Sequence, residues 1–391
     1  MLYDFDRLIE RRGSDSVKWQ RYGNDILPMW VADMDFASPE PVTKALHERI
    51  AHGVFGYGTP ETPLSAVLCE RLAHLYHWQV TPEQILYLPG LVCGLNVICR
   101  AVGQPGNEVI VQTPVYPPFL TAPVHQKRIL NPVKLALTQR DGCLYYEIDY
   151  AAFMSAITQR TRLFILCHPH NPVGRVFTCD ELVRLGEICI ERDLIICSDE
   201  IHCDLLLDGT QHRPMASVAP EIAERCITLM APSKTFNLAG LGISFAIVQN
   251  PALRQQVKAA AAGIVPHVNI LGFVAALGAY RDGADWLKAL LAYLTANRNL
   301  LVDYIQHQLP GINTTCPQAT YLAWLDCRKI PSINNPQHFF LRQANVAFND
   351  GATFGPGGEG FVRLNFGCPR ALLLQGLERL KTALTRLNAG S

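Results

Sequence analysis

The sequence predicts an α/β protein with a large unit built on a mostly parallel sheet, followed by a smaller α+β unit. Three observations carry that reading. Between about residues 85 and 250, short apolar runs alternate with helical patterns, as expected for strands joined by crossover helices. From about residue 280 the pattern changes to one long amphipathic helix, short strands and a final helix. A chain of 391 residues, 49% of them hydrophobic, is also longer than one typical domain and can bury a substantial core.

Taken in order, the first 37 residues read as irregular and end in the string Leu27-Pro-Met-Trp30-Val-Ala-Asp33-Met-Asp35-Phe36. With the start of the next helix they make an arm over residues 1–40. It has no core of its own and is expected to pack against the C-terminal unit. Ser38-Pro39 opens a helix whose apolar face carries Val42, Ala45, Leu46 and Ile50 and which Gly53 ends. Tyr57 comes next in a glycine-flanked loop and reads equally as an ordinary turn aromatic. Strands are expected at Ile85–Leu88, Glu108–Gln112, Leu163–Cys167, Leu194–Ser198, Cys226–Met230 and Ile243–Val248. The capping box Thr178-Cys-Asp-Glu181 starts a helix that runs to about Arg192. Helices are expected over Asp285 to Gln308 and Arg370 to Leu387. The domain limits read as 41–279 and 280–391.

Composition narrows the partners. Lys+Arg and Asp+Glu both total 34, so no global field draws nucleic acid or an anionic membrane, and a small molecule is the expected partner. The 13 cysteines are odd in number and include no Cys-x-x-Cys pair, which fits reduced thiols and a cytoplasmic setting better than disulfides or zinc. Residues 1–12 are charged and no run of about 18 uncharged apolar residues occurs, so neither a signal peptide nor a membrane span is expected.

The most informative residues stand just after the apolar runs. In chain order these segments are Pro89-Gly90-Leu91-Val92, Thr113-Pro-Val-Tyr116, His168-Pro-His-Asn171-Pro-Val-Gly174, Asp199-Glu-Ile-His202 and Ser233-Lys234. Ligands of open α/β sheets bind outside the carboxyl ends of the strands, so these five segments can converge on one crevice. Lys234 stands where a buried strand ends. Desolvation there lowers an ammonium pKa and frees an amine able to form a Schiff base with an aldehyde cofactor, although a lysine snorkelling from a strand end is the plain alternative. Pyridoxal 5'-phosphate bound to such a lysine needs a carboxylate at its ring nitrogen, and Asp199 is placed for that unless it merely caps the next helix. Asn171 can donate to the phenolic oxygen and Tyr116 can stack on the ring. The amides at Gly90-Leu91-Val92 and the Ser233 hydroxyl can take the phosphate. The glycines of Gly351–Gly358 have neither P-loop nor Rossmann spacing and read as a loop, and no metal-binding pattern occurs.

Together Ser233-Lys234-Thr-Phe-Asn-Leu-Ala-Gly, Asn171-Pro-Val-Gly, Ser198-Asp199-Glu-Ile-His202, Gly53-Val-Phe-Gly-Tyr57, Tyr321-Leu-Ala-Trp-Leu and Phe361-Val-Arg363-Leu-Asn-Phe-Gly-Cys-Pro resemble fold type I pyridoxal-phosphate enzymes. Within these the chain resembles the MalY/PatB group of cystathionine beta-lyase-like carbon–sulfur lyases, from about residue 3 to 387. The resemblance implies an aspartate-aminotransferase-like large domain, with Lys234 carrying the cofactor, Asp199 at the pyridine nitrogen, Asn171 at the phenolic oxygen, Tyr116 over the ring and His202 beside it. It also implies Arg363 as the clamp on the substrate carboxylate, in place of an ion pair with Glu359 or Asp33. Tyr57 is implied to reach the phosphate of the neighbouring protomer in a homodimer. Two positions depart from the aminotransferase pattern: Ala231 and Gly242 stand where those enzymes commonly have a phosphate-binding serine and arginine.

The expected reaction is α,β-elimination from L-cysteine S-conjugates such as L-cystathionine, giving a thiol, pyruvate and ammonia, with the substrate side chain among Trp30, Tyr116, Tyr321 and Phe339. An aminotransferase is the nearest alternative. A regulatory protein of the same fold that binds a transcription factor is another, although no residue marks such a surface.

Overall fold

A computed structural model describes residues 3–58, 63–330 and 332–389. Its centre is a seven-stranded sheet in the order Ile85–Leu88, Ser244–Ile247, Cys226–Met230, Ile195–Asp199, Thr161–Cys167, Glu108–Thr113, Ile129–Lys134. All neighbours run parallel except Ser244–Ile247, which is antiparallel to both strands beside it. Side chains alternate across a strand, and here each face has its own core. Val109, Val111, Leu163, Ile165, Cys197 and Leu229 face one side, while Ile110, Phe164, Leu166, Ile196 and Met230 face the other. Burial on both faces explains why these strands read as continuous apolar runs.

Six of the seven strands lie where the apolar runs put them, within two residues at either end. The seventh, Ile129–Lys134, carries Pro132 and is largely exposed, so it has neither the run nor the alternation of a covered strand. An edge is where a sheet tolerates proline. The hairpin Ala136–Arg140/Cys143–Glu147 is likewise polar on its outer strand; its Asp141-Gly142 turn has φ of 51° and 75°, the left-handed pair that an Asp-Gly turn accepts.

Thr178 caps the helix Cys179–Glu191 as expected: its hydroxyl accepts from the Glu181 amide at 3.2 Å and the Glu181 carboxylate accepts from the Thr178 amide at 2.7 Å. The first long helix runs Glu40–Ala51 with Pro39 at its N-cap, and Ile50 is exposed instead of lying on the packed face. Helices Ile270–Asp282 and Ala284–Gln308 meet at Gly283, where an added Cβ would stand 2.4 Å from the Ala279 carbonyl oxygen.

A second sheet has the order Asn313–Thr314, Leu322–Asp326, Phe361–Asn365, Asn349–Asp350, packed with the long helix and with Arg370–Ala389. The N-terminal residues join that core: Leu27–Pro28 pairs in parallel with Val346–Ala347, and Asn365 Nδ2 donates to the carbonyls of Val31 and Asp33. The segment also ties to the larger sheet, since Asn237 exchanges hydrogen bonds with Met34 and donates to Phe36. Trp30 to Asp33 are thereby pinned across the carboxyl ends of the central strands. Gly351–Phe354 forms a short 3₁₀ turn, and an added Cβ on Gly351 would lie 2.3 Å from the Gly358 carbonyl oxygen; these glycines serve backbone packing.

Candidate active site

At the carboxyl ends of the parallel strands lies a cavity of about 410 Å³. Its walls come from all five segments marked in the sequence: Gly90, Leu91 and Val92; Tyr116; Asn171; Asp199 and His202; Ser233 and Lys234. Trp30, Val31 and Ala32 enter from the N-terminal segment, and Asn349 and Arg363 from the second sheet.

Lys234 sits in the single turn Pro232–Thr235, just after the buried strand Cys226–Met230. That turn is held from behind: Thr235 Oγ1 donates to Asp204 at 3.2 Å, and Asp204 pairs with Arg71 at 2.5 Å. The ammonium donates to the Ala32 carbonyl at 2.7 Å, a neutral acceptor. Burial first and the nearby Arg363 charge second pull its pKa down to about 8, with Asp33 and Asp199 opposing both. A lysine so held supplies free amine near neutral pH, which a snorkelling lysine does not.

Asp199 ends its strand, 5% exposed, and one oxygen accepts from the Ile201 amide at 3.2 Å. Burial pushes its carboxyl up to about 7; that amide and the Lys234 charge only partly offset this. Beneath it, Glu200 is satisfied by Ser198 Oγ at 2.7 Å, the Met215 amide at 2.9 Å and His212 Nε2 at 2.7 Å, with His168 stacked on His212 at 4.5 Å. Burial holds both histidines down near 3, so they stay neutral.

Arg363 is 3% exposed and its guanidinium donates to Asn171 Oδ1 at 3.0 Å, the Trp30 carbonyl at 3.1 Å and Asn349 Oδ1 at 2.8 Å. All three acceptors are neutral, and its Nε has no partner. Among the described residues no carboxylate lies within ion-pair distance of it. Burial alone lowers its pKa to about 10 against the raising influence of Tyr116 and Tyr321. Asp33 pairs instead with Arg11 at 2.6 Å, and Glu359 accepts from the Gly357 amide at 3.0 Å, so the structural ion-pair alternative does not hold. Because Arg363 occupies Asn171 Oδ1, the amide group of Asn171 is left to face the cavity as a donor. Tyr116 is half-buried between these charges, its phenol pushed up by burial. His202 is neutral, held near 3 by burial and by the Lys234 and Arg363 charges, with Nδ1 unpartnered.

The phosphate-sized end is built from backbone. Gly90 adopts φ 120°, ψ 153°, a conformation open to glycine alone, and its amide donates to Ser244 Oγ at 3.1 Å. This turn aims the start of the helix Leu91–Ala101 at the cavity, where first-turn amides have no partner within the helix and attract an anion. Gly242 lines the same end in a left-handed conformation and brings no charge, and Ala231 caps the lysine turn without a hydroxyl.

Two residues expected at this site lie elsewhere. Tyr321 is fully buried behind the wall, donating from its hydroxyl to the Ala32 carbonyl at 2.9 Å, so it braces the acceptor of Lys234 instead of lining the cavity. Phe339 packs on Phe340 at 5.3 Å beside a separate surface depression. Tyr57, expected at the phosphate of a neighbouring protomer, is wholly exposed and does not line the cavity of its own chain. Two contributors went unread in the sequence. The Ala32 carbonyl has no side-chain signal, and Asn349 shows only as one polar residue after the apolar Val346-Ala-Phe348.

The family model for aminotransferase class I and II matches residues 24–380. The cystathionine beta-lyase PatB of Bacillus subtilis is 40% identical, over 98% of this chain and 100% of that protein. The crystal structure of OvoB superposes with a TM-score of 0.93 at 41% identity, covering 98% of this chain and 99% of the other. Cystalysin from Treponema denticola, whose crystal structure contains a pyridoxal 5'-phosphate cofactor, gives a TM-score of 0.93 at 32% identity, covering 99% and 100%. With this match over almost its whole length, the chain belongs to the aminotransferase class I and II family, in the cystathionine beta-lyase-like group that includes PatB.

Proposed function

We propose that the chain is a pyridoxal 5'-phosphate-dependent carbon–sulfur β-lyase that cleaves L-cystathionine and related L-cysteine S-conjugates to a thiol, pyruvate and ammonia. The observation that carries this reading is one cavity holding a lysine near neutrality, a buried carboxylate with no cation in contact and a buried guanidinium with no anion. Each deficit matches one group of the cofactor–substrate pair: an aldehyde, a ring N–H⁺ and an α-carboxylate.

The donor set fits the cofactor. Asp199 would face the ring nitrogen, the Asn171 amide the phenolic oxygen, Tyr116 one face of the ring, and the Leu91 and Val92 amides with Ser233 the phosphate. When bound, the cofactor supplies an electron sink for the charge left at Cα. The chain's own residues do the rest. Lys234, unencumbered by a carboxylate partner, takes the Cα proton as general base. Arg363 grips the α-carboxylate with two parallel N–H donors, which orients the Cα–H bond as well as adding affinity. Asp199 keeps a proton on the group it faces by remaining anionic against it. Trp30 forms part of the cavity wall, fixed by its Nε1 donating to the Lys18 carbonyl at 3.1 Å.

The arm 1–40, a large domain 41–279 and a small domain 280–391 then each contribute: Ala32 and Trp30 from the first, the cofactor cradle from the second, Arg363 and Asn349 from the third. A homodimer is part of the proposal. Ile50, Val54, Phe55 and Tyr57 are all exposed within eight residues, an apolar stretch that a second copy would cover while Tyr57 supplies the phosphate end with a hydroxyl beside that of Ser233. All 13 cysteines are unpaired and no described helix is long and apolar enough to cross a membrane, which supports a cytoplasmic setting.

Incubation of the loaded enzyme with L-cystathionine alone tests the reaction. Release of pyruvate with no added 2-oxo acid is expected. No pyruvate in that assay, with amino-group transfer once a 2-oxo acid is supplied, would make the chain an aminotransferase.

A further inference from the structure

Away from the cavity, two cysteines far apart in sequence meet where the hairpin strand Cys143–Glu147 touches the second sheet. Leu144 and Thr315 form a parallel bridge there. Cys143, one residue before its bridge partner, and Cys316, one residue after, point to the same side of that contact because alternation turns both away from Leu144 and Thr315. The two thiols lie close enough to influence each other's ionisation. Cys143 is buried and accepts from Gln306 Nε2 at 3.5 Å, while Cys316 is exposed. Arg298, 3% exposed, is anchored beside them on the Pro317 carbonyl at 2.8 Å and Asp208 at 2.5 Å, and its charge reaches Cys316. One thiol is thus reachable and faces a fixed cation, and the other waits behind it.

We infer that Cys143 and Cys316 form a reversible disulfide on exposure to hydrogen peroxide, with Cys316 as the attacking thiol and Cys143 as the resolving one. The Cys316 thiolate attacks one peroxide oxygen: an S–O bond forms, the O–O bond breaks, and the departing hydroxide takes a proton to leave as water. The Cys143 sulfur then attacks the sulfenic sulfur, forming the S–S bond and expelling a second water. Two thiols lose two electrons and the peroxide gains them. Exposure of Cys316 and burial of Cys143 set the order of the two steps, and the neighbouring Cys143 thiol and the Arg298 charge favour the Cys316 thiolate while the Cys143 thiol is raised. Cys179 is the other exposed cysteine among those described.

The bridge would join the hairpin to the segment that supports the active-site turn. Gln318 and Ala319 amides both donate to the Gly174 carbonyl, at 2.8 and 3.2 Å, three residues from Asn171. A cross-link over so long a loop restricts the unfolded chain and raises Tm by a few °C.

The test treats the cofactor-loaded full-length protein with hydrogen peroxide, blocks residual thiols with N-ethylmaleimide and maps peptides without reduction. The expected result is a linked pair of peptides containing Cys143 and Cys316, a loss of two free thiols from the 13 in the sequence, a higher Tm, and reversal of all three by dithiothreitol. Cys143→Ser should leave Cys316 as a sulfenic acid that dimedone traps, and Cys316→Ser should show neither product while retaining lyase activity. Oxidation of Cys316 in the wild type without a linked peptide, or first oxidation at Cys179, would overturn the inference.

Discussion

Lys18 and Arg363 are about equally buried, at 2% and 3% exposure, yet their surroundings are opposite. Lys18 donates to Asp35 at 2.7 Å and to the Asp33 carbonyl at 3.0 Å; Asp35 also accepts from Arg11 at 2.6 Å and from Trp19 Nε1 at 2.8 Å. Every charge in that cluster has an opposite charge in contact. In the cavity, Arg363 and Lys234 donate only to neutral acceptors, and Asp199 accepts only from an amide. The two clusters are neighbours, since Asp33 pairs with Arg11 on one side and its charge reaches Lys234 on the other. Isolated buried charge is costly, so a fold retains it where a ligand completes the pair. The arm cluster is therefore structural, and the cavity cluster is an unfinished set of ion pairs.

That contrast breaks first at Lys234. Lys234→Ala should abolish elimination, a loss of ~10⁴-fold or more, and borohydride should no longer fix cofactor to the peptide spanning residue 234. The cofactor-free variant should melt no lower than wild type at pH 7. The folded-state pKa of Lys234 is depressed to about 8 from 10.5, so its contribution is present above pH 10.5 and lost as pH falls through about 8. A labelled peptide from another lysine would remove the assignment.

The opposite behaviour is expected in the arm. Lys18→Met leaves Asp35 with Arg11 as its one cation in contact and should cost about 3–5 kcal/mol of stability, read as a lower midpoint in urea, while kcat/KM of the folded enzyme stays within about twofold. If instead stability is kept and activity falls, the arm cluster serves the site directly. Arg363→Ala is the mirror experiment with a smaller effect. Two charge-assisted bonds to the substrate carboxylate, each worth about 1.5–3 kcal/mol, imply a loss of at least ~10-fold to 100-fold in kcat/KM, with Tm of the cofactor-free protein unchanged or higher. Arg363→Lys should recover only part, because an ammonium cannot present the parallel donors. A sharp drop in stability with normal kcat/KM would return Arg363 to a structural role.

How much of the molecule is legible in the sequence depends on where each signal resides. Strands buried on both faces announce themselves as apolar runs, and the polar residues at the ends of those runs mark the crevice; Asn171, Asp199 and Lys234 were readable for that reason. The edge strand with Pro132 gave no such run. The Ala32 carbonyl belongs to the backbone, so nothing in the residue type marks it. Tyr321 and Phe339 are the instructive errors: an aromatic in a C-terminal motif can line a cavity or stand behind its wall, and a rotation of the chain by one residue decides which. By residue type Arg363 fits either an ion pair or a carboxylate clamp, and its three neutral acceptors decide between them.

Asp199→Asn tests the central claim most directly, because it removes one unmatched charge and nearly nothing else. The folded-state pKa of Asp199 is raised to about 7 from 3.8, so its contribution to stability is fully present below pH 3.8 and lost as pH rises through about 7. Melting curves of the cofactor-free proteins at pH 6 and pH 8, with pyruvate release by the loaded enzymes, give both readouts. The cofactor-free variant should melt at or above wild type at pH 8, with the gap narrowing toward pH 6, while elimination falls ~100-fold. A cofactor-free variant that melts lower at pH 8, together with elimination close to the wild-type rate, would mean that Asp199 is a structural carboxylate and that the cavity charges are not waiting for a ligand.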